Sequence, residues 1–223
     1  MAYITYRDFN ANSASREIDT FGLYYAAGQR ALAQGKFQQA TENLEAAWNL
    51  RGRRGEHLPV ADRREILQLL RQARLLADLS AESLEEILHH AADLVHDEGE
   101  WQREFVRRYQ GKAILFDTEV RPDPVRKFQI EYAVFIDAKR AKIDLSNVEL
   151  FRFLPVHKME RLIFGLRLTK ITLEPEGIWA IQFEPDSGVL LTNLEAAAAC
   201  CAYPVEELRE VIERQALLMG HSP

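Results

Sequence analysis

Cysteine is scarce in this 223-residue sequence, and its two cysteines, Cys200 and Cys201, are neighbours. Adjacent cysteines can form a disulfide only through a strained local ring, so we expect no structural disulfide. Two thiols that lack a second pair at Cys-x-x-Cys spacing also make a poor zinc site. No cation stands next to either thiol to favour the reactive thiolate, which argues against a redox role. We interpret the pair as small apolar residues in an alanine-rich helix.

Long apolar runs are also missing, since no stretch approaches the ~18 apolar residues of a membrane-spanning helix. The first residues of the chain lack the apolar core of a signal peptide and include Arg7 and Asp8. The formal net charge of −6 produces a field that favours neither nucleic acid nor an anionic membrane. These absences predict a cytoplasmic protein without a membrane partner.

Sequence motifs for catalysis, cofactors and metals are missing as well. Gly52 and Gly55 lack the remaining residues of a phosphate-binding loop, and no G-x-S-x-G nucleophile motif is present. His89, His90 and His96 lack the i, i+4 spacing of a helical zinc site, so we interpret them as solvated polar residues. The sequence therefore predicts no enzyme activity, no catalytic residue, no cofactor and no metal ligand.

The spacing of apolar residues changes from a helical to a strand period near Gly111. With 47% hydrophobic and 28% charged residues, the chain has an ordinary globular composition and enough length for one large domain or two small ones. We predict an α+β protein. Its predicted parts are a flexible arm (1–20), a helical region (21–109), a β-barrel or sandwich (110–193) and C-terminal helices (194–223).

The most informative local pattern is a helix–turn–helix unit over residues 21–54. Gly28 and Ala40 are small where two antiparallel helices must approach closely. Gly35 ends the first helix, and Phe37 enters the turn. The full pattern is Gly28, Gly35, Phe37, Ala40, Leu44 and Ala47. In spacing it resembles a single tetratricopeptide repeat, and the resemblance implies a scaffold that binds proteins.

In tetratricopeptide repeats, the first helix of the unit lines a concave face that contacts peptide ligands. The resemblance places five residues on that face: Gly22, Tyr25, Gln29, Leu32 and Ala33. Among these it implies Tyr25, Gln29 and Leu32 as the protein-binding residues. The alternative is that the N-terminal arm or the β region of the same chain covers this face.

The second half of the chain alternates apolar and polar residues in several segments, which predicts strands. The clearest predicted strand is Lys127–Asp137, with its alternate apolar side chains on one face. A change of phase near Thr169 or Lys170 predicts a β-bulge. The order of strands and one short helix over residues 101–192 resembles an oligonucleotide/oligosaccharide-binding (OB) barrel. A generic small barrel or sandwich is the alternative.

Basic residues form two groups. An arginine-rich stretch from Arg51 to Arg74 is either a binding surface or a solvated face. In the β region, basic residues flank the first hairpins, and Phe135 projects from the face opposite the apolar one, where a base could stack. The OB resemblance implies nucleic-acid binding by Arg126, Lys127, Phe135, Lys139, Arg140 and Lys142.

The sequence as a whole favours a non-catalytic protein-interaction or adaptor module. The predicted partner is an unidentified protein or peptide that binds the tetratricopeptide-like surface. Weak binding of single-stranded nucleic acid by the loops of the OB-like region is the alternative function. It ranks second because the charges of these loops are mixed and the chain is acidic.

Overall fold

The computed structural model describes residues 20–52, 60–94, 98–123, 127–154, 159–201 and 203–219. The predicted arm lies outside these ranges except for its last residue. Helices precede a curled mixed sheet in the chain and further helices follow it, so the predicted α+β class is confirmed. The chain divides into two compact units. The helical unit is Met1–Ala77 with Asn193–Val205, and the sheet unit is Asp78–Thr192 with Glu206–Pro223.

The helices are residues 20–33 (α1), Phe37–Gly52 (α2), Val60–Ala77 (α3), Leu84–Asp93 (α4), Glu98–Arg108 (α5), Glu149–Phe153 (α6), Leu194–Cys200 (α7) and Val205–Leu218 (α8). The strands are Ala113–Asp123 (β1), Lys127–Ile130 (β2), Phe135–Ile136 (β3), Lys139–Arg140 (β4), Lys142–Asp144 (β5), Glu160–Leu173 (β6), Trp179–Phe183 (β7) and Val189–Leu190 (β8).

The predicted helix–turn–helix is confirmed by α1 and α2. Gly35 follows α1 with φ +70, a left-handed conformation that glycine adopts without steric cost. A Cβ atom on Gly28 would lie 2.7 Å from Leu44 Cγ, so a larger residue would force Leu44 to shift. Ala40 and Leu44 are fully buried, as expected where two helices pack closely.

The sheet unit begins directly after α3, earlier than the predicted boundary after residue 109. The Asp78 carbonyl accepts a hydrogen bond from Ala113 N at 2.8 Å, and Ser80 N donates to the Ala113 carbonyl at 2.9 Å. Arg167 pairs with the Asp78 carboxylate at 2.7 Å. The helices α4 and α5 share an apolar core with the sheet. Helical periodicity predicts such helices but does not show which core receives them.

The chain returns to the helical unit at Asn193. The sequence predicts that either Thr192 or Asn193 caps an alanine-rich helix. Asn193 N donates to Gln72 Oε1 at 3.1 Å. The Asn193 side chain accepts a hydrogen bond from Ala196 N at 2.8 Å, so the predicted cap of α7 is confirmed. Ala199 Cβ lies 3.4 Å from the position that a Cβ on Gly35 would take. The segment predicted as the start of a separate C-terminal region therefore belongs with the first helices.

The curled sheet has the strand order β2-β1-β6-β7-β5, and β8 pairs with β6 beside this path. The pairs are antiparallel except for β5 and β7, which run parallel. The long strand β6 pairs with β1 along its first half and with β7 along its second half. Its register with β7 shifts between Leu168 and Lys170, so the predicted β-bulge is confirmed.

The predicted strand Lys127–Asp137 is divided in the structure. Two separate strands, β2 and β3, replace it, with an irregular connection between them. The predicted alternation is confirmed in burial, because Ile130, Val134 and Ile136 are buried whereas Phe135 is exposed. Periodicity reports which face the side chains take, but not whether the backbone finds a neighbouring strand.

Aromatic side chains fill the core of the sheet unit. Phe116 of β1 stacks on Phe164 of β6 with ring centroids 5.2 Å apart. Phe151 of α6 meets Phe164 edge-on at 5.2 Å and also contacts Phe128 at 5.8 Å. Phe151, together with Val148 and Leu154 at the two ends of α6, packs this short helix on the core.

The helix α8 is anchored to the sheet by Gln215, which is fully buried. Gln215 Oε1 accepts a hydrogen bond from Ile163 N at 2.6 Å. Its Nε2 donates to the carbonyls of Ile163 at 2.9 Å and Leu191 at 2.6 Å. Leu208 of α8 is buried, whereas Val205 in the first turn of the helix is exposed.

Candidate interaction surfaces

One of the predicted groove residues of α1, Tyr25, forms a hydrogen bond to α3 of the same unit. Tyr25 Oη donates to Glu65 Oε1 at 2.6 Å, and Gln29 Nε2 donates to Tyr25 Oη at 3.0 Å. Phe21 stacks on Tyr25 with ring centroids 5.9 Å apart. Leu32 is fully buried and is not available to a partner, so its predicted role as a surface contact is wrong. The spacing of one repeat does not separate a surface leucine from a core leucine.

The helix α3 exposes a row of four side chains at helical spacing, which we call the α3 stripe: Arg64, Leu67, Arg71 and Arg74. Leu67 retains 37% of its accessible surface. It follows Arg64 by three positions and precedes Arg71 by four, so it lies between the aliphatic stems of the two arginines. The side chains on the other faces of α3 are mostly buried, among them Ile66, Gln68, Leu69, Leu70, Gln72, Ala73, Leu75 and Leu76.

The arginines of the α3 stripe differ in what they contact. Arg74 Nε and Nη2 donate to Glu45 Oε1 of α2 at 2.9 and 2.7 Å. Arg64 and Arg71 form no hydrogen bond or ion pair with any residue that the structure describes. Glu65, the neighbour of Arg64 in sequence, is engaged by Tyr25. The α3 stripe is therefore cationic at both ends and apolar at Leu67.

The sequence contained a signal for this stripe. Leu67 lies outside the apolar face that the helical spacing predicts for Asp62–Leu79, namely Ile66, Leu69, Leu70, Ala73, Leu76 and Ala77. An apolar residue out of phase on an amphipathic helix indicates a surface position. The arginine-rich stretch predicted as either binding or solvated contributes Arg64 and Arg71 to that surface. The side chain of Arg51 and all of residues 53 and 54 lie outside the described part of the chain.

The β3–β4 hairpin (residues 135–140) presents the aromatic side chain that the sequence predicted. Phe135 is 57% exposed and pairs across the hairpin with Arg140. The two turn residues, Asp137 and Ala138, have φ of 50 and 64. Left-handed φ at both positions fits the right-handed twist of a two-residue hairpin, although a residue with a Cβ adopts it at some energetic cost. The hairpin therefore holds Phe135 and Arg140 on one face.

The predicted cations of the hairpin region are engaged by the protein itself. Lys139 Nζ donates to the Glu176 carbonyl at 2.8 Å, and Lys142 Nζ pairs with Glu174 Oε1 at 3.2 Å. Arg140 Nη2 lies 3.5 Å from the Tyr132 carbonyl. The remaining predicted nucleic-acid contacts, residue 126 and the side chain at position 127, lie outside the described residues. Charge in this region is thus largely balanced within the sheet unit.

A polar chain joins α4 to the end of α5, and the sequence interpretation of the histidines missed it. Tyr109 Oη donates to Glu82 Oε2 at 2.5 Å and accepts from His90 Nδ1 at 2.8 Å. Burial, together with Glu82, raises the pKa of Tyr109 well above its ordinary value. His90 is half-buried, so its predicted solvated position is wrong, whereas His89 is exposed as predicted. The third histidine, His96, lies outside the described residues.

The thiol of Cys200 is half-buried in α7, and burial raises its pKa to about 12. A thiol with such a pKa is almost fully protonated at neutral pH and is a weak nucleophile.

Within the described ranges, no group of three or more His, Cys, Asp or Glu side chains could hold a metal ion. The same residues contain no helix of the length and apolarity that a membrane span requires.

None of the protein-family models, curated proteins or solved structures compared with this chain matches it. The inference of function therefore rests on the α3 stripe and the β3–β4 hairpin.

Proposed function

We propose that this chain is a non-catalytic protein-interaction or adaptor module of the cytoplasm, and that its helical unit binds the partner. The single observation that carries the proposal is the α3 stripe, where an exposed leucine lies between two arginines without partners among the described residues. Arginine side chains around an apolar residue are typical of the centre of a protein–protein interface.

Further support comes from α1, which carries two exposed apolar side chains. Leu23 retains 71% and Tyr24 retains 40% of its accessible surface. The close contact at Gly28 and the Tyr25–Glu65 hydrogen bond fix α1 against its neighbours. Such a scaffold presents surface side chains in one arrangement and limits the entropy that binding must overcome. In this proposal, the tetratricopeptide-like helical surface binds a protein with side chains that are already held in position.

The non-catalytic part of the proposal has two supports in the side chains that could do chemistry. Cys200 is a poor nucleophile because its pKa is raised to about 12. His90 uses Nδ1 in the hydrogen bond to Tyr109. Both groups thereby serve the packing of their helices.

Capture of partners from native lysate tests the proposal with two matched surface variants. Leu67→Ser alters the α3 stripe, and Phe135→Ser alters an exposed apolar side chain of the sheet unit. We expect mass spectrometry to identify a protein that wild type and Phe135→Ser retain and that Leu67→Ser loses. Circular dichroism confirms that both variants remain folded. Identical protein sets from all three proteins would contradict the proposal.

The second candidate function is weak binding of single-stranded nucleic acid by the sheet unit. The strand pairing favours it: β1 lies between β2 and β6, β6 pairs with β7, and β7 runs parallel to β5. An OB barrel has the same neighbours and a helix before its fourth strand, the position of α6. The exposed Phe135 beside Arg140 offers a ring and a guanidinium for base stacking.

Titration with a single-stranded oligonucleotide at low and high salt tests this second candidate. Binding that weakens with salt and falls in Phe135→Ala and in Lys139→Ala with Arg140→Ala would support it. The absence of binding by wild type at low salt would remove it. Binding that is equally strong in the hairpin variants would place the contact elsewhere.

A further inference from the structure

We propose that the α3 stripe is the docking site for an acidic amphipathic helix of a partner protein. The inference rests on the proposed function, since it names the surface and the chemistry of the partner for the same interaction module. It goes further because it commits to a helix whose acidic residues are two turns apart with an apolar residue between them.

The spacing of the stripe defines the shape of this partner. Arg64 and Arg71 are seven residues apart, which is about 10 Å along the helix axis. Residues seven apart differ by only about 20° around an α-helix, so both arginines project from the same line of the surface. Leu67 lies between them and is exposed. A second helix with carboxylates at i and i+7 and Leu, Ile or Phe at i+3 or i+4 matches this arrangement.

The charge of α3 selects an acidic partner over a basic or neutral one. The helix carries four arginines against one aspartate and one glutamate, within a chain of net charge −6. Glu65 accepts the Tyr25 hydroxyl, and Arg74 is paired with Glu45. Among the residues described, Arg64 and Arg71 have no partner, so each can pair with a carboxylate of another protein. Complementary charge of this kind speeds association and excludes partners of the wrong sign.

The apolar centre of the stripe favours a protein over a nucleic acid. A single-stranded nucleic acid gains much of its affinity from bases that stack on exposed aromatic rings. The α3 stripe contains no aromatic residue, and its central side chain is Leu67. An aliphatic side chain of an amphipathic helix can bury Leu67 together with the stems of the two arginines.

A designed peptide of about 15 residues provides the probe. Its helical form places Glu at i and i+7 with Leu between them, and it carries a fluorophore for anisotropy measurements. Two control peptides replace both glutamates with Gln or with Lys. The protein variants are Arg64→Gln with Arg71→Gln, the internally paired Arg74→Gln, and Lys139→Gln with Arg140→Gln in the hairpin. Thermal unfolding checks that each variant is folded.

We expect the acidic peptide to bind wild type more tightly than either control peptide. Two exposed ion pairs correspond to a loss of about 2- to 30-fold in Arg64→Gln with Arg71→Gln. The loss should be smaller in Arg74→Gln and absent in the hairpin variant. High salt should weaken binding of the acidic peptide to wild type.

Three outcomes would overturn the inference. Equal binding of the acidic and Gln peptides, both lost in Leu67→Ser, would leave a protein-binding stripe without selection for acidic partners. Binding of a single-stranded oligonucleotide but of no peptide, lost with both arginines, would contradict the proposed function as well. Self-association of wild type in sedimentation experiments, lost in the double arginine variant, would identify a second copy as the occupant.

Discussion

The cations of the α3 stripe and those of the β3–β4 hairpin differ in what neutralises them. In the hairpin region, Lys139 donates to the Glu176 carbonyl and Lys142 pairs with Glu174. On α3, Arg64 and Arg71 have no such partner among the residues described. A cation that already has a partner within its own protein gains less from binding another molecule. We therefore expect the hairpin cations to contribute mainly to the sheet unit, and the proposed role of the α3 arginines in recognition depends on this difference.

The largest effect is expected where the sheet unit depends on one buried polar side chain. Gln215→Leu removes the donor and acceptor that serve Ile163 and Leu191. Ile163 N and the Leu191 carbonyl would lose these partners, whereas the Ile163 carbonyl keeps the hydrogen bond from Leu191 N at 3.0 Å. The two buried groups that lose a partner should lower the free energy of unfolding by on the order of 3 kcal/mol. Urea denaturation measures the loss. Glu213→Gln, on the exposed side of α8, is the matched control and should change little.

The contrast between paired cations and those without a partner among the described residues can be tested by substituting one arginine of each kind. Arg161 donates to both carboxylate oxygens of Asp117, at 2.7 and 2.6 Å. Arg161→Gln should therefore lower the free energy of unfolding by about 1–3 kcal/mol. Arg71→Gln should change it by less than about 0.5 kcal/mol. Equal losses in the two variants would show that Arg71 also has a structural role.

The rigidity that we assign to the helical unit is tested by two glycines of α1. Gly28→Ala brings a Cβ atom to 2.7 Å from Leu44 Cγ and should destabilise the unit by about 1–3 kcal/mol. Gly22→Ala meets no atom within 4 Å and should stabilise the helix by up to about 1 kcal/mol. Thermal unfolding compares the two variants. Equal effects would mean that α1 and α2 do not approach as closely as described.

The smallest expected effect concerns Tyr109 in the sheet unit, and it is seen only at high pH. Its folded-state pKa is raised, so the neutral hydroxyl stabilises the fold below the unfolded pKa of about 10. This contribution is lost as the pH rises above that value. Wild type should therefore lose stability above about pH 10, and Tyr109→Phe should lose less over the same range. Denaturation at a series of pH values measures both slopes, with Tyr203→Phe as the control for an exposed hydroxyl.

Much of the fold could be predicted from local sequence patterns. The helical hairpin at Gly28 and Gly35, the bulge near Lys170 and the cap at Asn193 depend on residues close in sequence, and each was confirmed. The unit boundary was not predicted, because it depends on the hydrogen bonds that join Asp78 and Ser80 to Ala113. Contacts between residues far apart in sequence leave no local periodicity.

The candidate site was predicted only in part, for related reasons. Tyr25 and Gln29 were predicted as contacts to a partner, but Gln29 donates to Tyr25, and Tyr25 donates to Glu65, which lies 40 residues away in sequence. Leu32 follows the repeat spacing yet is buried. For Leu67 the sequence was informative, since a leucine outside the apolar face of a helix indicates a surface position. Side-chain partners across helices decide these cases, and the spacing along one helix does not record them.

A charge-swap cycle between Arg71 and the acidic peptide measures whether α3 pairs with an acidic helix at this position. Arg71→Glu should weaken binding of the acidic peptide, and the peptide with Lys in place of the facing Glu should recover affinity for this variant alone. We expect a coupling energy of about 0.2–1 kcal/mol, typical of an exposed ion pair. Additive effects, with no recovery in the swapped pair, would contradict the claim that α3 receives an acidic helix at this position.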